Sequence, residues 1–505
     1  MKKLIILLLS GAIVFGAVLT AYASEKPANV QPTLTIGTAQ DINNLNLQQQ
    51  SDQINNICLA LTHQPLMTMT NDTGETIPHL AESYEWADDT HLVFILPENA
   101  CFSNGTPLTA DDVVFTFEMA LDPSSYIRNN LAGLISIKAI DEHTVEFTTD
   151  SYSNEILAAL AYTPFGIQSR EAYDSGMESP YLIGSGQYKL NNWAEGQYIS
   201  FVLNENYWGD DPGITPEIIF KPILEPSSRI IALQNGEIDV CIDPLVTELQ
   251  FLESDEKITV LEAAGTRLFY FGFNTSKEPW DNKILRQAIA CAIDRQLIID
   301  IVLGGKGLAQ TTILNRGLWS FYDDMEGFDY DVERAQQLIA EAGYPDGGLT
   351  AELYAATDDP YKTIAPIIQA NLKAIGVEVN IISLDQNTLK AECQAGNQDM
   401  FLWRWNASSR LDEVFRDLFY TGSGSNYHHY GSEFSDALTD KILREKDAKQ
   451  RQADSVALQT YLVEECPQVP LFIANLVIAY RTGLEGTYLF GGGNHYWAHA
   501  YVNLD

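Results

Sequence analysis

The sequence is poor in basic residues. Lysine and arginine together number 30, against 68 aspartates and glutamates, which gives a formal charge of −38 at neutral pH. A surface this acidic repels nucleic acid and anionic lipid headgroups, so no nucleic-acid partner is expected. Net charge says little about any single binding site, and its plainest consequence is solubility.

Catalytic signatures are also missing. The 505 residues contain no GxSxG nucleophile elbow, no HExxH zinc motif and no phosphate-binding P-loop. The Ser/Gly turns at 184–186 and 422–425 lack the strand–turn–helix context that a nucleophile needs. Because no nucleophile and base can be named together, we expect a protein that is not an enzyme, with a secreted hydrolase as the less favoured alternative.

No CxxC pair occurs, which argues against a zinc or redox motif. The six cysteines are scattered: Cys58, Cys101, Cys241, Cys291, Cys393 and Cys466. Export would permit disulfides, but six cysteines allow many pairings and the sequence does not choose among them. His495 and His499 could share a metal only on a helix, and they follow the glycines at 491–493. Neither a metal nor another cofactor is expected.

The N-terminal residues 1–23 have the form of a secretory signal peptide. Lys2 and Lys3 precede an apolar run at 4–19, and an A-x-A cleavage site ends at Ala23. This run is shorter than the ~20 residues that a membrane span needs, and no later stretch is long and apolar enough. No cysteine follows the cleavage site, so we expect a secreted or periplasmic protein without a lipid anchor. Whether it works in a periplasm or outside a single-membrane cell stays open.

Strands and helices are predicted along the whole chain, and from Arg267 onward they alternate. Strands are predicted at 34–37, 92–96, 237–240, 267–274, 349–355, 377–382 and 400–405. Helices are predicted at 228–233, 331–342 and 364–375, and a further helix begins at Thr109 in a capping-box sequence. This alternation is typical of an α/β fold.

The longest patterned segment is 279–305, PWDNKILRQAIACAIDRQLIIDIVLGG. Asp281 can cap a helix N-terminus, and Gly304 can end the helix. Between them apolar side chains recur at helical spacing: Ile284, Leu285, Ile289, Ile293, Leu297, Ile298, Ile301 and Val302. We therefore predict one helix whose apolar stripe, with Cys291 as a small filler, faces the core.

This segment resembles the P(F/W)DNxxxRQAIxxAIDR motif of family 5 solute-binding proteins. These are the extracytoplasmic receptors of peptide- and nickel-type ABC importers. Further segments match the family in the same order: 77–122, the turn IGSGQY at 183–188, NENYW at 204–208 and ALQNGEID at 232–239. Each match is weak alone, but together they cover nearly all of 34–504.

The resemblance implies a two-lobe periplasmic-binding-protein-like α/β fold, type II and cluster C. Its first lobe would comprise 33–58, 181–264 and 482–505, with an extra subdomain inserted at 59–180. The second lobe would comprise 265–481, including the crossings between lobes near 264–271 and 475–481.

The same resemblance implies a function without catalysis. The protein would capture a ligand, an oligopeptide above all, in the cleft between its lobes and deliver it to an ABC permease with transmembrane and ATPase subunits. A monomer is expected. The alternative within binding proteins is a receptor for a non-peptide solute: a metal chelate, an opine or an oligosaccharide.

Ligand specificity is expected in the segment 400–415. Peptide-binding relatives carry an Asp there that accepts the ammonium group of the peptide, and counting from Trp403 puts Asn406 at that position. A neutral amide cannot replace a carboxylate, so either Asp412, Glu413 or Asp41 supplies the charge, or the ligand has no ammonium there.

The loop 356–361 lacks the Arg that binds the ligand carboxylate in dipeptide-binding relatives, so a plain dipeptide is disfavoured. Arg404 or Arg410 could bind a ligand carboxylate instead, or either could form a structural ion pair. Aromatic residues are expected to line the same cleft, with a core role as the alternative for Trp403: Tyr270, Phe271, Trp403, Trp405 and Tyr427. Trp403 and Trp405 should share one face of a strand, with Arg404 on the other.

Overall fold

The structure is a computed structural model that describes residues 27, 29–49, 52–70, 76–245, 248–263, 265, 267–314, 325–406, 414–489 and 495–504. The predicted signal peptide lies outside the described residues. Within the described part of the chain, no helix combines the length and the apolar character needed to cross a membrane.

The strands, in chain order, are β1 Thr33–Thr38, β2 Met67–Met69, β3 Thr76–Pro78, β4 Ser83–Trp86, β5 His91–Ile95, β6 Leu134–Asp141, β7 Thr144–Thr149, β8 Tyr188–Ala194, β9 Tyr198–Leu203, β10 Glu217–Pro222, β11 Val240–Ile242, β12 Ile258–Ala263, β13 Arg267–Phe273, β14 Gly307–Ala309, β15 Leu349–Ala356, β16 Val377–Leu384, β17 Met400–Asn406, β18 Gln468–Ala474, β19 Leu476–Arg481, β20 Leu484–Glu485, β21 Tyr488–Leu489, β22 His495–Tyr496 and β23 Tyr501–Val502.

The helices are α1 Gln53–Thr62, α2 Ala110–Ala120, α3 Asn154–Ala159, α4 Arg170–Asp174, α5 Pro226–Asn235, α6 Leu249–Glu253, α7 Lys283–Ala292, α8 Arg295–Leu303, α9 Val332–Glu341, α10 Tyr361–Lys373, α11 Gln386–Ala395, α12 Glu433–Arg444 and α13 Ala448–Glu465. A single π-helical turn occupies Phe415–Phe419.

Three larger sheets organise these elements. The first has seven strands in the order β12-β19-β11-β1-β10-β9-β8, and the second has six in the order β14-β18-β13-β17-β15-β16. A four-stranded sheet, β4-β5-β7-β6, lies between β1 and β8 in the sequence. Each sheet has its own buried apolar cluster, as expected for lobes and subdomains that pack separate cores. The strand β19, which falls within the predicted second-lobe range 265–481, pairs in the first sheet with β11 and β12.

The segment 279–305 forms two helices, so the prediction of one continuous helix is wrong. The backbone is extended at Ile293, and Asp294 caps α8 by accepting a hydrogen bond from the backbone N–H of Leu297. The break resets the helical face, which leaves Leu297 and Ile301 exposed at 41% and 55%. Asn282 rather than the predicted Asp281 caps α7.

Most other predicted elements are confirmed. The strands lie within two residues of their predicted bounds, except that the strand expected at 237–240 forms at Val240–Ile242. The capping box at Thr109 and Asp112 is present at the start of α2. All six cysteines, each within the described residues, are free, and Cys291 is buried in the core as predicted.

Candidate binding site at the junction of the two sheets

Two chain crossings join the seven-stranded and six-stranded sheets. β12 leads to β13 through 264–266, and β18 leads back to β19 at Asn475. In the second sheet β15 runs parallel to β16 and β17, whereas β13 runs antiparallel to β17. The start of β13 therefore lies at the carboxyl end of these parallel strands, which is where open α/β sheets place their ligands.

The first sheet contributes a carboxylate to this junction. Asp243 directly follows β11 and is exposed, with a left-handed backbone φ of 49°. The buried guanidinium of Arg229 holds this turn by donating to three backbone carbonyl oxygens, including that of Asp243 at 2.7 Å. Desolvation of the carboxyl by the surrounding protein raises the pKa of Asp243, and the positive charges of Arg267 and Arg229 oppose that rise.

The second sheet contributes two guanidinium groups. Arg267 begins β13 opposite Asn406, and Arg404 lies opposite Phe269, two positions along. Directly opposed residues share a face of a sheet and every second residue returns to it, so Arg267 and Arg404 lie on one face. Desolvation lowers the pKa of Arg267, and the positive charge of Arg404 lowers it further. The two like charges are therefore close enough to affect each other.

Tyr361, the first residue of α10, covers this face. Its ring lies 5.9 Å from that of Phe269, which in turn stacks on Phe472 at 4.9 Å. Burial raises the pKa of Tyr361 to about 12, while the adjacent Arg404 opposes the rise. The phenol stays protonated at neutral pH and can donate a hydrogen bond.

Three of the predicted aromatic residues, Tyr270, Trp403 and Trp405, lie on the other face of the sheet, whereas Phe271 lies on the face of Arg267. Trp403 is opposite Tyr270, and Trp405 is opposite Leu268, which confirms that the two tryptophans share a face and that Arg404 points away from them. Both tryptophans are half-buried, and Trp403 meets the edge of Tyr427 at 5.5 Å.

Three of those aromatic residues belong to the core. Tyr270 and Phe271 have no exposed surface, and Tyr427 is 5% exposed. Tyr270 stacks on the buried His428 at 5.6 Å. A residue in such surroundings cannot touch a ligand in this conformation, which corrects the expectation that these three rings line a cleft.

The remaining predicted residues are only partly placed. Asp41 is half-buried, with its carboxylate near the turn at Gly196, on the β8–β9 side of the first sheet. The side chain of Asn406 lies outside the description, as do Arg410, Asp412 and Glu413. The proposal that one of these acids replaces the missing carboxylate stays a prediction.

The histidines have structural contacts. His499 Nε2 lies 3.1 Å from a carboxylate oxygen of Asp211 and 3.0 Å from Nε2 of Gln187. His428 is enclosed by aromatic rings, and burial lowers its pKa to about 3. Among the residues that the structure describes, no group of three or more His, Cys, Asp or Glu side chains is arranged to hold a metal.

A second set of contacts joins the inserted segment to the second sheet's helical layer. The Arg416 guanidinium donates to both carboxylate oxygens of Glu155, at 2.8 and 2.7 Å. The Asn154 amide donates to the carbonyl oxygen of Glu445 at 2.8 Å. Lys446 pairs with Asp89 and lies 4.8 Å from the Tyr152 ring. We call this set the rim; its members are Asp89, Tyr152, Asn154 and Glu155 on one side and Arg416, Glu445 and Lys446 on the other.

Comparison with known proteins identifies the family. The model of the bacterial extracellular solute-binding proteins, family 5, matches residues 75–427. The chain belongs to this family. The family consists of substrate-binding proteins, and the two sheets with their two crossings are this member's version of the two-lobe fold.

Individual relatives agree with that assignment. Heme-binding protein A of Haemophilus influenzae is 28% identical over 430 residues, covering 78% of each chain. The peptide transport periplasmic protein SapA of Salmonella typhimurium is 26% identical over 535 residues, covering 97% of this chain and 96% of that protein. The solved structure of the periplasmic binding protein DppA from Helicobacter pylori, in complex with the peptide STSA, superposes with a TM-score of 0.76 at 23% identity, covering 94% of this chain and 99% of that one. These likenesses confirm the expected two-lobe α/β fold.

Sequence reasoning missed three residues of the junction: Asp243, Arg267 and Tyr361. Each had a weak signal, since Asp243 follows a strand, Arg267 begins one and Tyr361 begins a helix after a strand. Charged or polar residues at strand ends are common in so acidic a chain. Only the crossings, which bring separate sheets together, single these three out.

Proposed function

We propose that this family 5 protein is the extracytoplasmic receptor of an ABC importer, which captures an oligopeptide between its lobes and delivers it to the permease. The observation that carries the proposal is the pairing of opposite charges at the junction. Asp243 comes from the first sheet, and Arg267 and Arg404 come from the second. A peptide carries both an ammonium and a carboxylate, so it can satisfy both sides.

The proposed ligand-contacting residues differ from those expected from the sequence. Arg404, Trp405 and Trp403 remain, since all three are half-buried at or near the carboxyl end of β17. Asn406, Asp412 and Asp41 remain on the sequence argument, and Asp243 and Arg267 join them; Tyr361, which is 3% exposed, supports the site from behind. The buried Tyr270, Phe271 and Tyr427 are left out.

Ligand capture by closure of two lobes is part of the proposal. The first lobe would comprise 33–58, 181–264 and 482–505, with 59–180 as its inserted subdomain. The second lobe would comprise 265–481 apart from its last strand, β19, which pairs in the first sheet. The rim supports such a motion, because polar and charged contacts between separate bodies separate and re-form more readily than an apolar interface. A ligand favours the closed form only as far as it binds that form better. We further propose a periplasmic or secreted monomer that acts on the permease without chemistry of its own.

A second candidate is a receptor for a metal chelate, favoured by one specific observation. A relative at 28% identity is named for binding heme, and position 406 is a neutral asparagine. An opine or an oligosaccharide would fit Asn406 for the same reason, although a neutral sugar leaves the charged groups of the junction without a counterpart.

Thermal melting against four ligand classes tests the proposal. The panel contains alanine peptides of two to five residues together with glutathione, and then hemin, a neutral oligosaccharide and an opine. Binding to the folded state alone raises the melting temperature, so peptides should stabilise the protein and remain intact by mass spectrometry. Stabilisation by another class alone would sink the peptide proposal, and peptide cleavage would sink the receptor proposal.

A further inference from the structure

A single buried guanidinium joins two turns at one edge of the first sheet. Arg229 is 1% exposed, and its Nη1 donates to the carbonyl oxygen of Ile223 at 2.6 Å while its Nη2 donates to that of Asp243 at 2.7 Å. Its Nε donates to the carbonyl oxygen of Ile242 at 3.0 Å. The first turn follows β10 and the second follows β11, so one side chain fixes the ends of both strands.

The strand β1 lies between these two strands, and Gly37 makes room for the connection. β1 runs parallel to β10 on one side and to β11 on the other. A Cβ at Gly37 would lie 3.3 Å from Cγ of Arg229, so the arginine passes this strand where glycine leaves space. The three strands end at the same edge, and open α/β sheets bind their ligands at the carboxyl ends of parallel strands.

The two turns present chemically different side chains. Leu224, in the first turn, is 64% exposed, and Asp243 in the second is exposed as well. None of the three hydrogen bonds from Arg229 uses the Asp243 carboxylate, since all go to backbone oxygens. The neighbouring acid Glu225 caps α5, because its carboxylate accepts from the backbone N–H of Ser228 at 2.6 Å. An apolar side chain and a carboxylate are thus held in turns that share one guanidinium.

This edge of the first sheet faces the second sheet. Arg267, at the start of β13, is close enough to Asp243 to oppose the rise that desolvation causes in its pKa. Single exposed leucines are common on protein surfaces. A leucine at this edge differs from them, because closure of the lobes around a ligand can bury its side chain against that ligand.

We propose that Leu224 and Asp243 form a subsite for the amino-terminal residue of a peptide, with Arg229 as the residue that positions both. The carboxylate binds the ammonium group through charge-assisted hydrogen bonds, and Leu224 contacts a large apolar side chain on the same residue of the ligand. This inference rests on the proposed function and deepens it, since it names which peptides are preferred. The preferred ligands begin with leucine or a residue of similar size and character.

Four matched tripeptides test the preference by isothermal titration calorimetry: Leu-Ala-Ala, Ala-Ala-Leu, Ala-Ala-Ala and N-acetyl-Leu-Ala-Ala. The first should bind about tenfold more tightly than Ala-Ala-Ala, because burial of much of a leucine side chain contributes a free energy of that order. Ala-Ala-Leu has the same composition with the apolar group at the other end, and it should bind more weakly than Leu-Ala-Ala. Acetylation removes the ammonium and should weaken binding about tenfold or more.

Variants at two exposed positions assign the preferences to these side chains. Leu224→Ser should bring the affinity for Leu-Ala-Ala down to near that for Ala-Ala-Ala. Asp243→Asn should remove the preference for the free amine over the acetylated peptide, because asparagine keeps the left-handed turn, with its φ of 49°, and loses only the charge. Ile135→Ser is the matched control, since Ile135 is 63% exposed on β6 of the inserted segment.

Arg229→Lys tests the positioning role. Lysine keeps the charge but lacks the planar fork that reaches both turns, so both preferences should shrink together. In the Asp243→Asn protein the same substitution should change the preference for the free amine no further, whereas independent effects would add. Thermal melting reports any loss of stability separately, and the variants at positions 224 and 243 test the subsite without altering the buried arginine.

Each outcome decides one claim. Equal affinity for Leu-Ala-Ala and Ala-Ala-Leu overturns the leucine contact, and equal affinity for the free and acetylated peptides overturns the role of Asp243; peptide capture survives either result. A leucine preference that persists in Leu224→Ser, or a loss that Ile135→Ser repeats, overturns the assignment to this turn. If none of the peptides binds, the proposed function fails, and this inference with it.

Discussion

Replacing Glu155 by glutamine removes one charge from the rim with almost no change in shape. In the parent protein Arg416 Nη1 donates to both carboxylate oxygens of Glu155. The Arg416 side chain is 29% exposed and that of Glu155 is 16% exposed. Exposed ion pairs contribute about 0–1 kcal/mol, and hydrogen bonds to charged groups about 1.5–3 kcal/mol. This pair is partly shielded from solvent, and Arg416 also binds Asp417 at 2.9 Å. We therefore expect the substitution to weaken the rim by a free energy between those two ranges, about 1–2 kcal/mol.

That loss should appear in ligand affinity. If ligand binds well only when the rim is joined, a cost of about 1–2 kcal/mol weakens binding roughly 5–30-fold. Calorimetry with the tightest-binding peptide measures the affinity. Small-angle scattering without ligand should show a larger radius of gyration, since fewer molecules have the rim joined.

Controls define what would contradict this reasoning. Glu171→Gln changes an exposed acid on α4 of the same inserted segment and should leave affinity unchanged. Arg416→Lys keeps the charge but loses the forked geometry, so its effect should be intermediate. If Glu155→Gln changes the dissociation constant less than twofold and leaves the scattering profile unaltered, the rim does not contribute to closure.

Three further predictions concern stability. His428 is buried and its pKa is lowered to about 3, below the ~6.5 of an unfolded chain. The stability contributed by the neutral imidazole is therefore complete above pH 6.5 and is lost as pH falls towards 3. The melting temperature should drop across that range, and less steeply in His428→Phe. A Cβ at Gly184 would collide with the carbonyl oxygen of Thr62, so Gly184→Ala should cost about 1–3 kcal/mol in urea unfolding, while Gly424→Ala, which meets nothing within 4 Å, should be neutral. Thr109→Ala removes the capping box of α2 and should cost about 0.5–2 kcal/mol in the same assay, with Thr109→Ser close to the parent.

The strands were predictable because local chemistry decides them. β15 and β16 largely alternate apolar and polar side chains and are bounded by glycine or polar residues, and their bounds follow from those signals. The break between α7 and α8 was not predictable in this way. The apolar stripe continues through Ile293, so periodicity favours one helix, whereas Asp294 can either lie on the surface of a helix or cap a new one. Packing of α8 against the sheet makes that choice.

The site was harder to predict, since it depends on contacts between distant segments. The alternation of Trp403, Arg404 and Trp405 followed from strand geometry, but which face is buried did not. The sequence predicts Tyr270 as a cleft residue, whereas the structure buries it completely, with His428 stacked on its ring. Asp243 and Arg267 are 24 residues apart in sequence, and only the crossing brings them together.

Two groups of described contacts between the lobes should behave differently on opening. Lys306 binds Glu253 at 2.8 Å and Glu262 at 2.7 Å, and Asn475, at the return crossing, also donates to Glu262. These contacts lie beside the crossings, where the chain itself keeps the two sheets close, so they can persist while the lobes rotate. The rim has no such covalent connection nearby, so its ion pair and hydrogen bonds must separate. Opening therefore costs chiefly the rim contacts, and substitutions there should alter affinity, whereas Lys306→Met should lower stability with little effect on the open–closed balance.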